Sequence, residues 1–527
     1  MTSTGRRRSG LLIPLFSCPS TASWGIGEIA DLAPTTAWLA RAGQRALQLL
    51  PLNEMADGQQ SPYSATSALA LDPLFLRMAD VPEFAAAGGE AALSGDDRRL
   101  LTEVRRAPRI DYAGVRQLKR TSLAMAFDRF YDGEWVPDGR RAYAFREFLL
   151  EQALWIDNYA LFRALQDQAP GTPWTLWPSA LRDREPAALD QARRDLAKRI
   201  LYYAYVQWLA DGQWRLAHAQ ARANGVALFG DLPFMVAGDS ADVWANQASF
   251  RLDVSVGAPP DAFSATGQDW GMPLYLWDEI AKSGFSWLRK RAWRHADLYD
   301  GYRVDHLVGF YRTYGRPKDG TSPFFTPAEE RDQLALGERV LGILCESGAE
   351  IVAEDLGTVP DFVRESLTRL GIPGFRVFRW ERLWEQPDQP FRDPADYPAL
   401  SLATSGTHDT EPLAVWWAST SPDDRRQIET LPTMVRITNG GPLGELPFNP
   451  FVRDSLLEAL FASGSNLLML PVQDVFGWED RINEPATVTA ENWTFRLPWP
   501  SDRLGEAPEA EERCARLRAW CATHDRL

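Results

Sequence analysis

The sequence has few cysteines and no long apolar run, which limits where the protein can work. The four cysteines among 527 residues are Cys18, Cys345, Cys514 and Cys521, and their spacing matches neither a metal site nor a disulfide framework. Such usage is typical of a reducing compartment, so we expect a cytoplasmic location. No apolar run reaches membrane-spanning length, so we expect no membrane partner.

The N-terminal segment has only a superficial likeness to a signal peptide. Arg6, Arg7 and Arg8 precede an apolar run at residues 11–16. This run is short, contains Pro14 and is followed by no clear small-residue cleavage site. We therefore interpret it as a first β-strand.

Positive charge is also scarce. The chain has 56 lysines and arginines against 71 aspartates and glutamates, a net charge of −15, which argues against nucleic acid or an anionic membrane as the main partner. A neutral substrate fits better. The 21 tryptophans and 14 tyrosines have flat apolar faces that suit stacking on sugar rings, although most of them are expected to pack in the core.

Short apolar runs alternate with helical periodicity along much of the chain, which is typical of parallel α/β construction. Helical patterns at residues 327–345 and 360–370 separate some of these runs. About eight such strands indicate a (β/α)₈ TIM barrel, whose active site lies at the carboxyl ends of the strands. Besides the N-terminal strand, we predict strands at residues 47–53, 68–76, 226–236, 301–305, 349–356, 374–380, 402–409 and 467–474.

The pattern also predicts how the chain is divided. Residues 1–80 would form the first part of the catalytic barrel, and residues 213–527 the remainder. Between them, charges and apolar residues at three- and four-residue steps predict a mainly helical insertion at residues 81–212. Residues 237–280 are rich in glycine, proline and tryptophan. A loop of that length in a compact protein is usually functional, so we predict a substrate loop there.

The run Arg303-Val-Asp-His306 closes one of the predicted strands. Because side chains alternate along a strand, Arg303 and Asp305 point to the same side. The arginine would keep the carboxylate ionised, and an ionised carboxylate can act as a nucleophile. Taken alone, such a pair is more often a strand-end ion pair without a catalytic role.

Three further carboxylates occupy equivalent places: Asp231, Glu354 and Asp409 each follow an apolar run. Glycoside cleavage needs one carboxylate that attacks the anomeric carbon and one carboxylic acid that protonates the leaving oxygen. No serine–histidine pair, cysteine–histidine pair or phosphate-binding loop competes for the role. His306 and His408 are the histidines that stand beside these carboxylates.

Six motifs in order carry a family resemblance: Gly230-Asp-Leu-Pro233, Asp239-Ser-Ala-Asp-Val-Trp-Ala-Asn246, Gly267-Gln-Asp-Trp-Gly271, Arg303-Val-Asp-His306, Ala353-Glu-Asp-Leu-Gly357 and Gly406-Thr-His-Asp409. With them and with Ser61-Pro-Tyr63, the sequence resembles the amylomaltases over nearly its whole length. These are the 4-α-glucanotransferases, or disproportionating enzymes, of glycoside hydrolase family 77 in the α-amylase clan.

The resemblance implies a role for each matched residue. Asp305 would be the nucleophile, Glu354 the general acid/base and Asp409 the third carboxylate, which stabilises the transition state. The same resemblance implies maltooligosaccharides and α-1,4-glucans as substrates, with no metal and no organic cofactor. Asp231, Arg303, His306 and His408 would complete the subsite where the bond breaks, and Tyr63, Asp269, Trp270 and Tyr275 would belong to the sugar-binding loops.

Three departures from the family pattern leave acceptor preference open. Thr410-Glu-Pro412 replaces Asn-Asp-Thr, Trp270-Gly-Met-Pro273 replaces W-G-N-P, and Arg481-Ile-Asn483 replaces arginine–methionine–asparagine. Two alternatives to a transferase also remain: an amylase-like hydrolase with the same carboxylates, and a catalytically silent glucan-binding protein. The sequence does not determine the oligomeric state.

Overall fold

The computed structural model describes residues 6–260, 267–485 and 487–527. In chain order its strands are β1 Arg8–Leu12, β2 Ala46–Gln48, β3 Ala227–Leu232, β4 Phe250–Ala258, β5 Gln268–Tyr275, β6 Gly301–Val304, β7 Thr313–Pro317, β8 Phe324–Thr326, β9 Glu350–Ala353, β10 Gly374–Val377, β11 Ser401–Thr404 and β12 Leu467–Pro471.

Eight of these strands close into a parallel barrel in the order β1, β12, β11, β10, β9, β6, β3, β2. Its strands are apolar because helices cover their outer faces; all five residues of β12, for example, are buried. The predicted (β/α)₈ barrel is confirmed. Since every strand runs the same way, the carboxyl ends of all eight meet at one edge.

One strand prediction needs correction, and the predicted N-terminal strand is present. The predicted strand at residues 68–76 is wrong: Leu71 makes only an isolated bridge with Asn53, and a short 3₁₀-helix occupies Pro73–Phe75. The amide and carbonyl of Leu71 instead pair with the side chain of Gln207 at 2.9 and 2.8 Å, so this backbone is satisfied without a strand neighbour. The N-terminal strand does exist, and β1 closes the barrel between β12 and β2.

The predicted loop at residues 237–280 contains two β-strands. Strands β4 and β5 pair antiparallel, and with β7 and β8 they form a four-stranded sheet in the order β5, β4, β7, β8. The inward side chains Phe250, Val254 and Val256 are buried, a pattern that the many glycines and prolines conceal in the sequence. Residues 261–266 of this predicted loop lie outside the described residues.

Helices surround the barrel and fill the long connection between β2 and β3. They are α1 Leu32–Arg41, α2 Pro82–Ala86, α3 Gly95–Arg106, α4 Tyr112–Phe130, α5 Arg140–Glu151, α6 Ile156–Gln166, α7 Ser179–Arg182, α8 Pro186–Asp195, α9 Ala197–Ala223, α10 Ala241–Ala245, α11 Trp277–Lys282, α12 Ser286–Leu298, α13 Glu330–Glu346, α14 Asp361–Leu370, α15 Leu413–Ser419, α16 Pro422–Glu429, α17 Pro432–Thr438, α18 Pro450–Phe461, α19 Val472–Phe476 and α20 Pro508–Thr523.

The helices α2 to α9 form a layer with its own aromatic core. The ring of Phe130 lies 4.8 Å from that of Tyr205 and 5.5 Å from that of Phe145, and contacts of this kind stabilise helix packing. The indole of Trp214 on α9 donates to the carbonyl of Leu298 on α12 at 2.7 Å, which ties this layer to the barrel. Among the described helices, none is long and apolar enough to cross a membrane.

Candidate active site

Arg303 holds two carboxylates together at the carboxyl edge of the barrel. It is the third residue of β6, and its guanidinium donates to Asp231 at 2.6 Å and to Asp305 at 2.7 Å. Burial opposes the positive charge, but the two carboxylates raise the pKa of Arg303 well above its usual value. The cation therefore persists, and it keeps Asp305 in one orientation at the end of the strand.

Asp231 and Asp305 differ in their access to the cleft. Asp231 is 1% exposed, whereas the side chain of Asp305 is 25% exposed. The amide of Asp305 donates to the carbonyl of Leu232 at 3.0 Å, which fixes its backbone against β3. Asp305 is therefore the carboxylate of this pair that can meet a substrate.

Glu354 follows β9 directly and lies beside the Asp305 turn. Its carboxyl accepts from the amide of His306 at 2.7 Å. Burial raises the pKa of Glu354 to about 8; Arg303 works against this rise and the charge of Asp305 adds to it. Glu354 is thus a protonated acid at neutral pH, next to an aspartate held by an arginine.

Asp409, which follows β11, belongs to a second group of side chains at the site, together with His408 and Asn483. His408 lies 3.2 Å from one of its oxygens, and the side-chain amide of Asn483 donates to the other at 2.6 Å. Burial would raise the pKa of Asp409, but His408 and the Asn483 hydrogen bond lower it to about 2. Asp409 is therefore ionised at neutral pH.

Tyr63 connects Asp231, in the Arg303 group, with His408, in the Asp409 group. Its hydroxyl donates to Asp231 at 2.7 Å and lies 3.1 Å from His408. Its ring stacks on the imidazole with centroids 5.5 Å apart, and Trp493 packs against both rings. Burial raises the pKa of Tyr63 well above 10, so the phenol remains a donor. The structure thus brings Tyr63, Asp231 and His408 into the carboxylate cluster.

His306 and Trp270 lie together on the side of the cleft formed by β5. The backbone of His306 is left-handed, with φ of 42°, which turns the chain sharply after Asp305. Its ring meets the Trp270 indole edge-on, with centroids 4.8 Å apart. Asp269 is exposed beside them and accepts from the amide of Gly271 at 2.9 Å. No carboxylate of the cluster is among the hydrogen-bond partners described for it.

Tyr275 is the predicted sugar-binding residue that the structure keeps away from the cleft. It is 1% exposed, and its hydroxyl donates to the carbonyl of Phe234 at 3.1 Å. The side chain ends β5 on the buried face of the second sheet, so it cannot stack on a sugar in this conformation. The prediction that Tyr275 contacts substrate is corrected accordingly.

Three residues at the site received no role from the sequence. Asn483 bonds Asp409, Trp493 packs on Tyr63, and Phe234 lies 5.7 Å from the His306 ring. Asn483 and Trp493 follow the last barrel strand in a segment without regular structure. The signals in the sequence are the patterns Arg481-Ile-Asn483 and Asn492-Trp493, and nothing in them indicates which carboxylate the asparagine bonds.

We predict that Asn483→Ala lowers kcat/KM by about tenfold to a hundredfold, because a hydrogen bond to a charged group contributes about 1.5–3 kcal/mol. Without this bond the pKa of Asp409 rises, so the acidic limb of the pH–activity profile moves to higher pH. Rates measured between acidic and neutral pH test this. Asn224→Ala is the matched control, because Asn224 bonds Thr36 beyond the end of α9; an unmoved acidic limb in Asn483→Ala would contradict the assignment.

The fold and the site together define a class of protein: a parallel-barrel enzyme with carboxylates at its strand ends, suited to cleaving glycosidic bonds. A model of the family described as 4-alpha-glucanotransferase matches residues 13–501. The chain is 34% identical over 535 residues to a 4-alpha-glucanotransferase of Thermus thermophilus, covering 99% of both chains. It is 32% identical over 502 residues to one of Chlamydia pneumoniae, covering 93% of this chain and 91% of that relative.

Solved structures agree with this assignment. An amylomaltase from Streptococcus agalactiae in complex with acarbose superposes with a TM-score of 0.81 at 26% identity, covering 99% of this chain and 100% of that one. The amylomaltase from Corynebacterium glutamicum shares the fold, with a TM-score of 0.79 at 23% identity over 97% of this chain and 75% of that one. The chain belongs to the 4-alpha-glucanotransferase family.

Proposed function

We propose that this enzyme transfers α-1,4-glucan segments between maltooligosaccharides, with retention of configuration, through a covalent glycosyl-enzyme. The observation that carries the proposal is the contrast between Glu354, protonated at neutral pH, and Asp305, held by Arg303. A proton donor beside a carboxylate held in position for attack is what the first half of a retaining reaction requires. Membership of the family supports the choice of α-glucan substrates.

In the first step, an oxygen of Asp305 attacks the anomeric carbon of the donor. The glycosidic bond to the leaving O4 breaks, and Glu354 gives its proton to that oxygen. An ester now joins the sugar to Asp305, and Glu354 is ionised. Asp409 supplies negative charge beside the positively charged, oxocarbenium-like transition state.

In the second step, the 4-hydroxyl of an acceptor glucan loses its proton to Glu354. The acceptor oxygen attacks the same anomeric carbon, the ester bond breaks, and Asp305 regains its charge. Two inversions give net retention, and both carboxyl groups return to their starting states. This scheme routes every proton through Glu354, and none of its steps calls on a metal or an organic cofactor.

Transfer requires an acceptor that outcompetes water, which is present at roughly 55 M, through binding and orientation. The aromatic rings around the carboxylates support this reading of the site. Trp270 stands against His306 on one side, and Trp493 and Tyr63 stand against His408 on the other. Rings in these positions can stack on an acceptor sugar and cover the ester.

Incubation with maltotriose tests the proposal. Transfer is expected to release glucose and to form maltopentaose and longer chains, with the total number of reducing ends unchanged. An amylase-like hydrolase would raise the reducing-end count with every turnover and form no product longer than the donor. A silent binding protein would show affinity without turnover. Either of these outcomes would replace the transferase assignment.

The remaining proposals concern location and partners. The net charge of −15 favours neutral glucans over polyanions as partners. All four cysteines are unpaired, which supports our proposal that the enzyme works in the reducing cytoplasm.

A further inference from the structure

Arg291 is a buried cation that the proposed chemistry does not use. It lies on α12 with 1% of its surface exposed. In the part of the chain that the structure describes, no ion pair joins it to a carboxylate. Its charge also acts on the buried Asp242, whose pKa burial raises and Arg291 lowers. A buried charge without a direct ion pair is costly unless hydrogen bonds replace its water, so such a residue calls for an explanation.

The hydrogen bonds of Arg291 converge on the turn that follows β3. Its guanidinium donates to the carbonyl of Pro233 at 2.6 Å and to that of Phe234 at 3.4 Å. It also donates to the hydroxyl of Tyr275 at 3.1 Å, and that hydroxyl in turn donates to Phe234 at 3.1 Å. Arg291 and Tyr275 together therefore fix this turn from behind, two residues after Asp231.

The turn carries the Phe234 ring, which packs directly against the loop of residues 305–310 that follows β6. Its centroid lies 5.7 Å from the His306 ring and 4.8 Å from the Phe310 ring. A Cβ atom on Gly309 would come within 2.6 Å of the Phe234 ring. Because there is no spare space, a shift of Phe234 has to move the loop that contains His306.

The loop that contains His306 also contacts Glu354, the proposed acid. The amide of His306 donates to the carboxyl of Glu354 at 2.7 Å, so the backbone position of His306 sets one of the hydrogen bonds that Glu354 receives. The contacts run without a gap from Arg291 and Tyr275 through Phe234 and His306 to Glu354.

We propose that Arg291 and Tyr275 are positioning residues for the reaction, which hold the Phe234–His306 contact and through it the hydrogen bond to Glu354. The inference rests on the proposed function. It places Tyr275 behind the site, where its hydroxyl makes hydrogen bonds and its ring does not stack on a sugar. It also explains why the guanidinium of this buried arginine makes no direct ion pair: the carbonyl groups of the turn accept its hydrogen bonds.

Tyr275→Phe tests this with little risk to the fold, because it removes one hydroxyl and keeps the ring. We expect kcat/KM for maltotriose to fall about tenfold. The alkaline limb of the rate profile should also move to higher pH, because the His306 amide favours the ionised form of Glu354 and a looser bond raises its pKa. Arg303, Asp305 and Asp355, the other charges that act on Glu354, are unchanged in this variant.

A double-mutant cycle shows whether the effect passes through Phe234. In a Phe234→Leu background, Tyr275→Phe should cause no further loss of kcat/KM, since the contact it supports is already gone. Arg291→Lys, which keeps the charge and a hydrogen-bond donor group, should retain more activity than Arg291→Met. Tyr397→Phe is the matched control, because the Tyr397 hydroxyl is buried without a hydrogen-bond partner.

The outcomes separate this inference from the proposed function. A wild-type protein that leaves maltotriose unchanged overturns the proposed function before any variant is considered. Wild-type turnover with Tyr275→Phe within about twofold of it overturns the inference alone. The inference is also wrong if Tyr275→Phe loses activity only in step with thermal stability, with the alkaline limb unmoved and full additivity with Phe234→Leu.

Discussion

Asp305→Asn is expected to lower kcat for maltotriose by at least about a thousandfold, which corresponds to about 4 kcal/mol of barrier. An amide has nearly the same shape as the carboxylate but cannot form the ester to the anomeric carbon. Initial rates of maltotriose disproportionation measure the loss. Activity within about tenfold of wild type, roughly 1.4 kcal/mol, would show that Asp305 is not the nucleophile.

The fold should survive this change, because Arg303 keeps its bond to the buried Asp231. Circular dichroism and denaturant unfolding of Asp305→Asn establish that the loss is chemical. Asp253→Asn is the matched control: this aspartate on β4 also pairs with a nearby arginine, Arg251, but at an exposed site, where ion pairs contribute little. Its turnover should equal that of the wild type.

Much of the catalytic edge could be predicted from the sequence because it depends on strand periodicity. Each of Asp305, Glu354 and Asp409 follows a short apolar run, and parallel strands in a barrel end on the same side. Three local runs and one topological rule therefore suffice to bring these carboxylates together. The charge of Arg303 beside Asp305 follows from the same alternation.

Contacts made by side chains across long sequence separations could not be predicted in this way. Residues 68–76 look like a strand because they are apolar, but Gln207 on α9 takes both hydrogen bonds of Leu71. Nothing near Leu71 in the sequence indicates this partner. The barrel has eight strands because β1 closes it between β12 and β2, while β2 pairs directly with β3 without a strand from residues 68–76.

The direction of the Tyr275 side chain could not be predicted either, for a different reason. A resemblance assigns a residue to a loop, but the direction of a side chain depends on which face of the sheet is covered. The antiparallel pairing of β4 with β5 turns Tyr275 inward, while Trp270 on the same strand is half-buried and reaches His306. Glycines and prolines obscured this sheet in the sequence, so its alternation could not be used to separate the two residues.

Glu354→Gln is expected to separate donors by their leaving groups. Glutamine cannot give a proton, so maltotriose, whose leaving oxygen needs one, should lose about a thousandfold or more in rate. A maltosyl fluoride needs little protonation and should form the ester at a rate much closer to that of the wild type. Rapid-quench measurement of the first turnover with both donors provides the comparison, and equal damage to both would contradict the assignment of Glu354 as the acid.

The pH dependence of the rate tests the assignment of Glu354 as the acid independently. The pKa of Glu354 is raised to about 8, so the proton donor is present below that pH and is lost as the pH rises through it. The wild-type rate with maltotriose should therefore decline above about pH 8, and this alkaline limb should be missing in Glu354→Gln. With maltosyl fluoride as donor, the limb should be weak even in the wild type, because the first step then no longer depends on the proton. An alkaline limb that persists in Glu354→Gln with the same midpoint would mean that another group supplies the proton, since a glutamine side chain does not titrate in this range.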